Sequence, residues 1–272
     1  MATRIVCNGV QLAVEDSGGG GQTVLFSHGL LYSLRMWDAQ VATLRARFRC
    51  VAYDHRGQGQ SEAPPTGMDM DTLADDVAAL IDSLHIAPVH FVGLSMGGFV
   101  GMRLAARRPD LVRSLALLDT SAGPEPPGNV PRYRRMEWVA RWLGVRPVVG
   151  RVLAIMHGES ARRDPARAAD LGRWREHLLR LDRVAMPRAV EGVLRREAAT
   201  PLLARIRCPT LVLVGEEDTA TVPARAEEIA EGIAGARLVR IPRAGHMSPI
   251  DAPEAVTAEL RAFLEAQPYF FP

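Results

Sequence analysis

The chain holds no lysine: all 33 of its basic residues are arginine. A Schiff-base amine and the lysine of a phosphate-binding loop are both excluded by that absence. Cysteine is sparse and odd in number, at Cys7, Cys50 and Cys208. Three cysteines make no disulfide framework, and no C-x-x-C pair offers itself to a metal. Free thiols in a reducing cytoplasm are the expectation. Charge of one sign is missing too: the formal net charge is +2, which points to neither nucleic acid nor an anionic membrane. No apolar run is long enough to span a bilayer, and residues 1–6 form no signal-peptide core.

What is present is ample apolar material, 47% of 272 residues, enough for a substantial core. Short β-like runs alternate with helix-like runs, the mark of an α/β architecture with a mostly parallel sheet flanked by helices. Strands are predicted over 10–15, 23–26, 50–53, 89–92, 115–119, 210–215 and 237–241. Helices are predicted over 36–48, 70–84, 222–233 and 253–264, the second capped by Asp69 or Asp71. Residues 121–200 break this alternation. They open on Pro124, Pro126, Pro127 and Pro131 and continue as amphipathic helical stretches without a convincing strand. The chain thus reads as a core of residues 1–120 and 201–272 interrupted by a helical cap at 121–200.

Chemistry is most legible at Gly93-Leu94-Ser95-Met96-Gly97. This G-x-S-x-G follows a strand-like run and precedes a helix-like one, the context of a nucleophile elbow. A serine hydroxyl needs a base and the base an orienting acid, in the chain order Ser, Asp or Glu, His. Seven histidines compete. His246 is the loop histidine that follows the nucleophile on the α/β body, in Arg243-Ala244-Gly245-His246-Met247, so it is the expected base. Asp218, after the strand 210–215, is the favoured acid, and Asp119 at the end of the strand 115–119 is the alternative. Glu216 and Glu217 read as exposed turn residues. The oxyanion requires two backbone N–H donors, assigned to Met96 and Leu30.

Four segments carry a resemblance: Phe26-Ser27-His28-Gly29, Asp54-His55-Arg56-Gly57-Gln58-Gly59-Gln60-Ser61, Gly93-Leu94-Ser95-Met96-Gly97-Gly98 and Gly245-His246. They resemble the α/β-hydrolase superfamily, in its serine esterase, lactonase and non-haem perhydrolase branch. The resemblance implies the α/β-hydrolase fold, with a variable helical cap and the D-x-R-G-x-G-x-S segment as a structural brace. It also implies cleavage of a small ester or lactone through an acyl-enzyme, with no metal or organic cofactor. Stretches 109–112 and 218–229 further resemble 3-oxoadipate enol-lactonase. Relatives with an aspartate nucleophile are set aside by Ser95, and hydroxynitrile lyases by the absence of lysine. Carbon–carbon bond hydrolysis, acyl transfer, perhydrolysis and slow-turnover ligand sensing stay open. So does the oligomeric state.

The cap poses two further questions. It carries 16 arginines against 9 acidic residues, whereas the remainder carries 17 against 22. That excess suits either an anionic substrate or, as the favoured reading, an ordinary solvated helical surface. For the pocket wall the candidates are Leu31 and Met247, which flank the catalytic residues in sequence, and Trp138, Trp142 and Trp174, which recur at helical spacings. The aromatic tail at Tyr269, Phe270 and Phe271 packs on the body or on a partner.

Overall fold

A computed structural model describes residues 2–268; the tail aromatics lie outside the described residues. Eight strands form one sheet: β1 (Thr3–Cys7), β2 (Val10–Asp16), β3 (Thr23–Ser27), β4 (Arg49–Tyr53), β5 (Val89–Leu94), β6 (Val112–Leu118), β7 (Thr210–Gly215) and β8 (Arg237–Ile241). Their order across the sheet is β1-β2-β4-β3-β5-β6-β7-β8. The first two pairings are antiparallel, and every pairing from β4 onward is parallel. The interior strands β3, β5 and β7 are buried along their full length, as parallel strands covered on both faces must be.

The first helices are α1 (Asp38–Leu44), α2 (Met70–Leu84) and α3 (Met96–Arg107). Asp69 is the N-cap of α2, its carboxylate accepting from the Thr72 N–H at 2.9 Å. Between β6 and β7 come α4 (Val130–Leu143), α5 (Val149–Met156), α6 (Glu159–Arg163), α7 (Ala168–Leu179) and α8 (Ala185–Leu194). After β7 follow α9 (Pro223–Gly232), α10 (Ser248–Asp251) and α11 (Pro253–Glu265). The helical stretch enters and leaves at one point, where the Ala199 N–H donates to the Ala122 carbonyl at 2.7 Å.

Two local differences from the sequence reading are instructive. Thr3–Cys7 is a strand outside those predicted; it is an edge strand with mostly exposed side chains, so no buried apolar run marks it. The predicted helix 36–48 is shorter and split. Leu34–Trp37 form a 3₁₀ turn and only Asp38–Leu44 are α-helical.

Candidate active site

Ser95 sits where β5 ends and α3 begins, with φ 52° and ψ −111°. That conformation costs on the order of 1–3 kcal/mol and persists only where neighbours over-determine it. Here the Ser95 N–H donates to the Leu118 carbonyl at 2.9 Å, and its own carbonyl accepts from Thr120 Oγ1 at 2.8 Å. The flanking glycines are sterically required. A Cβ on Gly93 would stand 2.4 Å from the Gly97 carbonyl oxygen, and one on Gly97 would stand 2.3 Å from that of Ser27. Thr120 escaped the sequence reading because a helper to a backbone carbonyl carries no motif.

His246 lies in the loop after β8 and reaches back across the sheet edge. Its Nε2 is 2.9 Å from Ser95 Oγ, and its Nδ1 is 2.9 Å from Asp218 Oδ2. The Asp218 carboxylate also accepts from the N–H groups of Ala220 and Thr221 and from the Thr221 hydroxyl, at 2.8, 2.9 and 2.8 Å. A proton on Nδ1, held by Asp218, leaves Nε2 free to accept from the serine. Burial pulls the imidazole pKa down. The charge and hydrogen bond of Asp218, with Asp119 and Asp251 adding to them, outweigh it and leave His246 above its ordinary value of 6.5.

Asp119 takes a different place. One of its oxygens accepts from the Gly215 N–H at 2.8 Å and the other from the Ser248 hydroxyl, which ties β6 to β7 and to the start of α10. Burial, with the nearby Asp218 charge, pushes its carboxyl well above the usual range. Glu216 is exposed, whereas Glu217 holds the backbone N–H and hydroxyl of Ser160.

Leu30 follows β3 on the opposite side of Ser95. Among the described residues neither its N–H nor that of Met96 has a protein hydrogen-bond partner. The loop is held by others. Leu31 has φ 69° and donates its N–H to Gln58 Oε1 at 2.8 Å, while Gln58 Nε2 lies 3.5 Å from Met96 Sδ. His28 accepts from the His55 N–H at 3.0 Å through Nε2 and donates through Nδ1 to the Gly29 carbonyl at 2.8 Å. Asp54 accepts from the N–H groups of Leu34 and Gln60. The segment from Asp54 to Ser61 is thus a scaffold for the loop that carries Leu30.

Above Ser95 and His246 opens a largely apolar cavity, with a volume of about 130 Å³ measured to the centres of water-sized spheres. Leu30, Leu31 and Phe99 form its base. Its walls come from the inserted helices, among them Tyr133, Met136, Ala140, Val152, Leu178 and Val190. Of the expected wall residues, Leu31 lines it. The other four do not, which corrects the sequence reading. Trp138 and Trp142 are 57% and 59% exposed, on the face of α4 turned away from Met136 and Ala140. Trp174 is buried against Tyr32, with ring centroids 4.6 Å apart. Met247 is fully buried beneath Gly29 in the core of the body. Helical spacing defines a stripe but not the direction in which it faces.

The insert is fastened to the loop that bears His246. The Met247 N–H donates to the Met156 carbonyl at 2.8 Å. Asp251 Oδ2 accepts from the N–H groups of both Gly158 and Gly245 at 2.8 Å. Its other oxygen accepts from His157 Nδ1 at 2.6 Å, and His157 Nε2 accepts from the Tyr32 hydroxyl at 2.9 Å.

Other chemistries find little support. Burial pushes the thiols of Cys7, Cys50 and Cys208 up to about 11, 12 and 11, which makes them inert nucleophiles. Among the described residues, no group of three or more His, Cys, Asp or Glu is arranged to hold a metal ion, and no helix is long and apolar enough to cross a membrane.

Sheet order, elbow and insert together define a hydrolase scaffold, and the family model for the alpha/beta hydrolase fold matches residues 22–253. The chain belongs to the α/β-hydrolase family. Its structure is similar to an enol-lactonase from Burkholderia xenovorans LB400, with TM-score 0.89 and 32% identity over 97% of this chain and 100% of that one. It is similar as well to a thermophilic esterase from Thermogutta terrifontis, solved with malate bound, with TM-score 0.88 and 33% identity over 97% and 98%. In sequence it is 26% identical to 3-oxoadipate enol-lactonase 2 of Acinetobacter baylyi, over 89% of this chain and 88% of that protein.

Proposed function

We propose that the protein is a serine hydrolase that cleaves a carboxylic ester or lactone through an acyl-enzyme. The observation that carries this reading is the continuous contact from Ser95 Oγ to His246 Nε2 and from His246 Nδ1 to Asp218, at the floor of an apolar cavity. Ser95 attacks the carbonyl while His246 takes its proton, and Asp218 holds the imidazole in the required tautomer. The free N–H groups of Leu30 and Met96 hold the oxyanion, the second with the help of the α3 N-terminus. His246 then protonates the leaving alkoxide. Water, activated by the same imidazole, releases the acid. Residues 121–200 act as a cap that keeps bulk water from the oxyanion. Unpaired thiols fit a reducing cytoplasm.

The test is a p-nitrophenyl ester series together with labelling by a fluorophosphonate probe. Wild-type protein turns over the esters and is labelled at Ser95; Ser95→Ala does neither. Labelling-independent turnover that survives Ser95→Ala would overturn the assignment.

A further inference from the structure

Of the sixteen arginines in residues 121–200, Arg196 alone is buried and alone lines the cavity. The other fifteen do not line the cavity. Arg196 is engaged through two of its three nitrogens and paired in charge with Glu125. Its Nη1 donates to Glu125 Oε2 at 2.9 Å and to the Val193 carbonyl at 3.0 Å, and its Nε donates to the Gly123 carbonyl at 3.2 Å. Its guanidinium lies 4.4 Å above the centre of the Phe99 ring. Glu125 is held in turn by Asn129 Nδ2 at 2.9 Å. Glu137 adds a second carboxylate to the wall. The charged lining is thus two carboxylates and one neutralised guanidinium, over walls that are otherwise apolar.

Resting on the serine-hydrolase reading, we infer that the site takes uncharged esters or lactones with an extended apolar acyl group, and that Glu125 is a specificity-determining residue that withholds Arg196 from substrate carboxylates. The chain of reasoning is electrostatic. A carboxylate entering this cavity sheds its water and finds the one guanidinium already paired with Glu125, while the Glu137 carboxylate repels it. A methyl-ended chain of the same length loses only unfavourable hydration. An anionic substrate of the kind that an Arg-rich insert suggests at first sight is therefore rejected by the inner wall.

The experiment compares p-nitrophenyl esters from acetyl to dodecanoyl with esters of matched length that end in a carboxylate. The expected result is kcat/KM that rises with chain length, and a penalty of about 10²-fold or more for the terminal carboxylate. Glu125→Gln, which frees the guanidinium, narrows that penalty about tenfold; the ratio is read within one protein, so a change in overall activity does not disturb it. Should Glu125→Gln fail to fold in a thermal melt, the wild-type comparison decides alone. Carboxylate-ended esters cleaved as fast as their neutral counterparts, or a flat chain-length profile, overturn the inference while fluorophosphonate labelling of Ser95 upholds the hydrolase reading. Absence of labelling together with absence of turnover overturns both.

Discussion

The α/β body and the helical insert meet at the same cavity but are built by opposite rules. The body contributes the polar groups that touch Ser95, and it fixes them with backbone hydrogen bonds from strands buried end to end. The insert contributes apolar side chains from helices less buried than those strands; in α4 Ala140 is the one buried residue. On the proposed reading, one region sets reaction geometry and the other sets which substrate fits. Changes in the body are expected to act on kcat for every ester alike. Changes in the insert are expected to redistribute activity among esters.

Substitutions can break that division or sharpen it. Ser95→Ala removes the nucleophile and lowers initial rates by about 10⁴-fold or more on all acyl lengths. Asp218→Asn costs kcat about 10³- to 10⁴-fold, because the imidazole loses the partner that fixes its tautomer. Asp119→Asn costs about 10- to 100-fold, acting through its hydrogen bonds to Gly215 and Ser248 and its charge near His246 rather than by contact with the imidazole; equal losses in the two variants would erase the distinction drawn between these carboxylates. The pH profile comes next. His246 must be neutral to accept the serine proton, and its pKa lies above 6.5. The acid limb of kcat/KM therefore falls above that pH, and it moves down in Asp218→Asn, which removes the charge that favours the imidazolium.

On the insert side, Val190→Phe intrudes on the cavity. It is expected to lower the dodecanoyl rate about tenfold relative to butanoyl, with little change for acetyl. The smallest effect belongs to Trp138→Ala with Trp142→Ala. Their indoles face solvent, so stability changes by no more than about 0.5 kcal/mol and the chain-length profile is unaltered.

The same contrast explains how much could be read from sequence. The strand alternation was legible because buried parallel strands demand unbroken apolar runs. Ser95 was legible because the elbow tolerates only small neighbours, and Gly93 and Gly97 stand in the sequence as the trace of that constraint. Chain order and loop placement led to His246 and Asp218. The cavity wall was not legible. In α4, arginine, tryptophan and methionine occupy both faces, so hydrophobic spacing alone pointed to Trp138 and Trp142, although Met136 and Ala140 are the residues that line the site. Glu125 and Arg196 escaped notice for another reason. They are 71 residues apart, and nothing short of the folded insert brings them together.

The fastening around Asp251 bears on how molecules travel. Gly158 and Gly245 are so closely apposed that a Cβ on Gly245 would stand 2.2 Å from the Gly158 nitrogen, and one carboxylate grips both of their N–H groups. A swing of the insert at this corner would drag the neighbouring imidazole off the serine. The corner therefore serves as a fixed pivot rather than a doorway. On the proposed reading, any movement that opens the cavity would therefore have to take place in the part of the insert remote from this corner.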